Sequence, residues 1–472
     1  MLKIAFTRRH FATGVSGLAL VCIVSGGTGR PAGSGRAPLE RLPLTQVNVS
    51  RAPGAQLEAA IVVAPSNPNV ILAGSNDVQP HRLDTRAYTS TDGGHSWVTS
   101  HPYRGAGCAI GDPAVAIDRS GRELFSYLGG PCRAEGEENP TSVYVSTRDG
   151  PTGGWTSVRV AGPLETGRND KPTLVWDTWP TSRHLGRAYV AWSRILSRRI
   201  AVLVVAHSDD GGATWSKPVQ VTPPALPSTE LFASLAVSPS GDLYVVRIDI
   251  SHAVFLSRST DGGAGFGATV EVEGSVFFPN VCRLLSVATA IPAQNRRCVT
   301  PTPTIVARSA TATVVYAEPG ADGQDLDVFA RTYDAALRPR GEALRVTPPE
   351  GQTASDQFQP TAALDPNGEL IWVCFYDTRG DPTRNTVRFS CTASSDGIRW
   401  RPPAPVASVR SNETGASASP YQYGDYQGLA IGTDGVAHPI WTDARDLAGG
   451  GEEIYTTSLT AANLDNRPGG LP

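Results

Sequence analysis

Short apolar runs alternate with polar turns along most of the chain. Residues 60–64 and 70–73 flank one such turn, and 114–118 and 124–127 flank another. The pattern returns at 173–177 with 188–192, at 235–238 with 243–248, and at 304–307 with 314–317. Two further pairs are 362–365 with 370–376, and 429–432 with 437–441. Short runs rich in β-branched and aromatic residues, bounded by Gly, Pro, Asn and Asp, predict strands. Seven units at roughly 55–70 residue spacing predict a repeat architecture of all-β type. The last unit runs out near Leu459, one strand short, and residues 44–49 are expected to supply that strand and close a ring.

A second repeat lies between these pairs. Ser90-Thr91-Asp92-Gly93-Gly94-His95-Ser96-Trp97 recurs as Ser208-Asp209-Asp210-Gly211-Gly212-Ala213-Thr214-Trp215 and as Ser259-Thr260-Asp261-Gly262-Gly263-Ala264-Gly265-Phe266. Degenerate copies are Ser394-Ser395-Asp396-Gly397-Ile398-Arg399-Trp400 and Ser146-Thr147-Arg148-Asp149-Gly150, which reaches Trp155. Asp bonds the N–H groups of its own turn, Gly supplies positive φ, and the aromatic covers the turn. The motif resembles the Asp-box, or BNR, repeat of the sialidase-like β-propellers. The resemblance implies a propeller of four-stranded blades, with the boxes structural and on the face opposite the active site. True sialidases have six blades; the repeat count here predicts seven.

Composition narrows the function. Lys plus Arg number 41 against 44 Asp plus Glu, so bulk electrostatics do not favour nucleic acid. The chain has 49 Gly and 38 Pro, a share above the usual roughly 12%, which argues against a helical protein. Basic residues are almost all Arg, with Lys confined to Lys3, Lys171 and Lys217. Thr7-Arg8-Arg9-His10-Phe11, a short apolar run and Gly26-Gly27 read as a twin-arginine export signal over residues 1–35. The propeller is expected over 44–460 and a flexible tail over 461–472. The mature chain is expected to be exported without stable membrane insertion. Six cysteines remain beyond the signal, an even number that suits disulfides. Sequence neighbours make the simplest pairing: Cys108 with Cys132, Cys282 with Cys298, and Cys374 with Cys391. Other pairings stay open.

In a propeller, the loops entering each innermost strand share one face with those joining the second and third strands. Acids precede many inner strands: Glu58, Asp112, Asp170, Glu230, Asp356 and Asp425. The second-to-third loops carry Arg194, Arg247, Asp377 with Arg379, and Asp443 with Arg445. Residues 276–302 form an extra connection on that face. Arginine pairs suit a carboxylate ligand, and carboxylates suit acid–base work or sugar hydroxyls. The same residues also suit ion pairs between blades, and both readings stay open. The resemblance implies a tyrosine nucleophile with an acidic partner; Tyr426 beside Asp425, Tyr376 and Asp356 are the candidates. It also implies an early Arg-Ile-Pro element, which this sequence lacks. Glycosidase action on a glycan and non-catalytic binding of a glycan or protein partner are therefore both expected readings. No cofactor is expected. Asp322-Gly323-Gln324-Asp325-Leu326-Asp327 is acidic enough for calcium but lacks a full EF-hand loop.

Overall fold

The computed structural model describes residues 40–79, 82–103, 108–131, 141–165, 167–197, 200–222, 230–249, 253–274, 291–297, 299, 301–320, 323, 325–347, 354–415, 418–445 and 451–465. They form seven four-stranded antiparallel sheets, the blades of a β-propeller. The innermost strands are Ala55–Ala64, Cys108–Ile117, Arg168–Trp176, Glu230–Val237, Thr304–Ala307, Gln357–Leu364 and Gly428–Ile431, for blades 1 to 7. In six blades the four strands follow one another in sequence.

Blade 7 supplies only three strands from its own stretch, and the fourth comes from the other end of the fold. Val47 pairs with Thr456 and Asn48 with Tyr455. This pairing completes blade 7 and ties the two ends of the fold into one sheet, leaving only short outer edges. A polar clasp reinforces it. Asn463 donates through Nδ2 to Leu42 O (2.8 Å) and accepts from Leu42 N–H (3.1 Å) through Oδ1, which also accepts from Thr460 N–H (2.9 Å). Residues 461–465, expected in the flexible tail, are therefore folded, and Leu464 is buried. The clasp gives that segment polar partners, which a tail lacks.

Apolar side chains fill the gaps between blades. Leu72 and Ala87 of blade 1 pack with Val115, Phe125 and Tyr127 of blade 2. Approach is close enough that a Cβ at Gly74 would lie 2.6 Å from the Phe125 ring. The repeated Ser-x-Asp turns join third to fourth strands and share one geometry. Asp92 accepts from Ser96 N–H (2.9 Å) and O–H (2.6 Å), while Ser90 Oγ accepts from Gly94 N–H (2.8 Å). Asp210, Thr214, Ser208 and Gly212 repeat these bonds with the same lengths. Cys374 and Cys391 sit directly opposite each other on neighbouring strands and are disulfide-bonded. Cys108 is also disulfide-bonded; Cys132, Cys282 and Cys298 lie outside the described residues, as do residues 1–39. No helix among the described residues is long and apolar enough to cross a membrane.

Asn463→Ala removes all three clasp bonds and should cost about 1–3 kcal/mol. Urea unfolding measures this; an unchanged midpoint would show that the clasp does not secure the ring.

Candidate functional site

The innermost strands share an irregularity that builds the site. In blade 1, Leu57 pairs with Asn76 and Ala60 with Gly74, so Glu58 and Ala59 together face one residue of the neighbouring strand. The same two-for-one step occurs at Asp112-Pro113, Lys171-Pro172, Phe232-Ala233 and Gln359-Pro360. Blade 5 repeats it at Thr302-Pro303, where Ala317 N–H donates to Pro301 O and Thr304 pairs with Val315. The first residue of each bulge lies in the left-handed region: φ is 59° at Glu58, 56° at Asp112, 51° at Lys171, 50° at Phe232, 42° at Thr302 and 49° at Gln359. Glycine normally takes that position. A larger residue there costs of order 1–3 kcal/mol and re-aims its side chain. Here the strain is accepted in six blades, and the re-aimed side chains meet around the axis.

Glu58, Asp112 and Phe232 meet at Lys171. Its ammonium lies 2.7 Å from Asp425, 3.1 Å from Asp112 and 3.5 Å from Glu58. The rings of Phe232 and Tyr426 stand on it, each with its centroid 5.2 Å away. Arg297 adds a second cation. Its Nε donates to Asp425 Oδ1 (2.8 Å), and its Nη2 lies 2.5 Å from Asp425 Oδ2 and 3.2 Å from Glu58 Oε1. Glu58 also accepts from Asn76 Nδ2 (2.7 Å) and from Asp425 N–H (3.1 Å). Asn76 in turn accepts the Asp112 N–H (2.9 Å), which locks blade 1 to blade 2. Asp170 flanks the cluster, its carboxylate 3.4 Å from Arg168.

The carboxyl groups are not equivalent. Burial pushes Glu58 up to about 7, against the pull of Lys171. Burial, with Asp112 nearby, pushes Asp170 up to about 6. Burial acts on Asp425 too, but Arg297 and Lys171 prevail and hold it well below the usual carboxylate range. Two neighbouring acids with opposite proton preferences result, the arrangement that acid–base sites use.

Of the residues named from sequence, the structure brings Glu58, Asp112, Asp170, Asp425 and Tyr426 together and places Tyr376, Asp356, Arg379, Arg445 and Arg247 in other contacts. Tyr426 donates to Pro113 O (3.4 Å), and burial holds its hydroxyl well above the usual phenol range. Tyr376 donates to Thr442 O (2.7 Å) inside an aromatic stack with Phe358, Phe389 and Tyr423. Asp356 is paired with Arg384 at 2.5 Å. Arg379 is clamped by Asp377 (2.5 Å) and Arg445 by Asp443 (2.6 Å), each within its own loop. Arg445 also bonds Gln46 (2.6 Å) and covers the Tyr455 ring, so it serves ring closure. Arg247 lies buried within blade 4, donating to Ser257 and Thr222 (both 3.0 Å). Arg194 is half-buried and faces Asn169 across its strand pair. Glu230 begins the innermost strand of blade 4, and its side chain lies outside the described residues.

Acids before the inner strands drift in offset because the bulge, not the strand start, points inward. Asp170, Glu230 and Asp356 precede their bulge residues by one, two and three positions respectively. Lys171, Arg297 and Phe232 are the residues that the acid-based reading misses. A signal exists: Asp112-Pro113-Ala114, Lys171-Pro172-Thr173, Thr302-Pro303-Thr304 and Gln359-Pro360-Thr361 share a Pro inside a strand, which marks a bulge.

No family model matches the chain, and no curated protein matches it. Among solved structures it is similar to a protein of unknown function from Dyadobacter fermentans, at 12% identity over 88% of this chain and 97% of that one, TM-score 0.49. It is similar to a Hadza microbial sialidase at 13% identity, over 84% of this chain and 74% of that one, TM-score 0.43. An α-L-arabinanase of Penicillium chrysogenum, solved with arabinobiose, shows 13% identity over 90% and 99%, TM-score 0.45. At these identities and scores the likenesses carry no functional conclusion.

Two consequences follow for stability. Lys171→Met leaves buried carboxylates short of a cation and should cost about 3–5 kcal/mol by chemical denaturation. Glu58 binds its proton more tightly folded than unfolded. Between its ordinary 4.5 and about 7 the folded chain keeps a proton that the unfolded chain has lost, so stability falls as pH rises. Glu58→Gln should flatten that decline in unfolding midpoints measured across the window. A steeper decline in the variant would refute the assignment.

Proposed function

We propose that the mouth binds a glycan and acts on it as a glycosidase, Glu58 holding the proton and Asp425 the negative charge. The observation that carries this reading is the pair itself: two buried carboxyl groups joined through Lys171 and Arg297, with opposite proton preferences. A protonated carboxyl donates to a leaving glycosidic oxygen, and an ionised one steadies the positive charge that develops on the sugar. Phe232 and Tyr426 offer ring faces to the apolar side of a sugar. Tyr426 contributes its ring rather than its oxygen, since its hydroxyl is held protonated and bonds a carbonyl.

Charge pairing favours a neutral sugar over a sialic acid. Recognition of a ligand carboxylate needs open guanidinium groups. Arg168, Arg297, Arg379, Arg384 and Arg445 are each paired with a protein carboxylate. The Asp-box resemblance supports placement in the wider sialidase-like group, while the seventh blade and the missing Arg-Ile-Pro set the chain apart from sialidases proper. Export follows from the 1–35 segment, and structural disulfides suit an oxidising compartment. The same saturation of charges favours a second reading, a propeller that binds a glycan without cleaving it.

A panel of chromogenic glycosides, neutral ones and a sialoside, separates these readings. Hydrolysis of a neutral glycoside is expected, with Glu58→Gln and Asp425→Asn each lowering kcat by about 10²–10⁴-fold and Arg379→Ala leaving it intact. Sialoside turnover would refute the neutral-sugar assignment. Glycan-array binding without turnover would establish the second reading.

A further inference from the structure

Arg297 does not belong to any blade. It sits on a strap, residues 291–297, within the connection from blade 4 to blade 5, yet the strap docks on blades 6 and 7. Ile291 and Ala293 are buried in the apolar cluster of those two blades. Gln422, fully buried and itself at φ 48°, pins the strap. Its Oε1 accepts from Arg296 N–H (2.8 Å) and Arg297 N–H (3.2 Å), and its Nε2 donates to Asn295 Oδ1 (3.2 Å). Arg296 adds bonds to Ala418 O and Gly415 O, both 2.8 Å.

We infer that Arg297 is the positioning residue of the mouth: the strap delivers it across the axis, and its two-point grip on Asp425 gives Asp425 and Glu58 different roles. This rests on the reading of two unlike carboxyl groups given above. The geometry is asymmetric. Arg297 meets both oxygens of Asp425 but touches Glu58 once, at 3.2 Å. Lys171 leans the same way, 2.7 Å from Asp425 and 3.5 Å from Glu58. From the other sides the pair faces Asp112 of blade 2 and Tyr426, with Asp170 of blade 3 standing behind Asp112. The bulge residues of blades 5 and 6 are uncharged, Thr302 and Gln359. The strap therefore brings a cation to a sector whose bulges supply none. A bidentate guanidinium also fixes the carboxylate plane, which a single ammonium does not.

The test needs no sugar, so it stays informative if the glycoside panel shows no turnover. The full mature chain is labelled at Asp and Glu side-chain carboxyl carbons and titrated by NMR, with Asp425→Asn and Glu58→Gln to assign the two signals. In Arg297→Gln the Asp425 midpoint should rise by about 1–3 pH units, with a smaller movement at Glu58. Arg297→Lys should recover part of that rise, which a purely structural role for the strap would not produce. Gln422→Ala keeps the guanidinium but unpins the strap, and should give an intermediate rise; it carries the test if Arg297→Gln does not fold. An unchanged Asp425 midpoint in a folded variant, or equal movement of Asp425 and Glu58, would overturn the inference. Turnover by the wild type together with an unchanged midpoint would overturn the role of Arg297 and leave the glycosidase reading standing.

Discussion

Everything at the mouth depends on balancing carboxylates where seven strands converge. Glu58, Asp112 and Asp425 are brought within contact of one ammonium, in a place largely shielded from water. Buried charge of one sign is costly unless paired. Lys171 answers part of that cost from blade 3, Arg297 answers more from the strap, and the raised proton affinity of buried Glu58 lets a proton relieve the remainder as pH falls below about 7. Removing any partner would leave charge that the surrounding polar groups could not absorb.

The bulges are the means by which the backbone meets this demand. A regular innermost strand would alternate its side chains between the two neighbouring blades. One extra residue per strand, in the left-handed region, turns a side chain toward the axis instead. The cost is borne at Glu58, Asp112, Lys171, Phe232, Thr302 and Gln359. Interblade apolar packing over-determines the sheets and makes that strain tolerable.

The two faces of the ring follow different rules. On one face the Ser-x-Asp turns repeat with near-identical bonds, so each copy serves its own blade. On the other, no two bulge residues among Glu58, Asp112, Lys171, Phe232, Thr302 and Gln359 are alike. Repetition marks what every blade needs. Variation at an equivalent, strained position marks what the whole molecule uses once. The arginine loops at Asp377–Arg379 and Asp443–Arg445 belong to the first class, since each clamps its own turn.

Local pattern alone determined the blades. Apolar pairs, turn residues and the repeated Ser-x-Asp motif are short-range signals, and each acts within about twenty residues of itself. Closure by residues near 47 was legible too, because one unit lacked a strand and one strand lacked a unit. The opposed cysteines 374 and 391 followed from their spacing about a turn. The site was legible only in part: Glu58, Asp112, Asp170 and Asp425 were reached through their position before inner strands, and Tyr426 through the resemblance. Lys171 and Arg297 were not, because their meaning lies in partners far away in the chain. Arg297 stands 128 positions from Asp425, and its strap leaves blade 4 and docks on blades 6 and 7 to reach it. Which acid keeps a proton is likewise a property of burial and of those two cations. Only the closed ring assembles them, since the axis exists once all seven blades are in place.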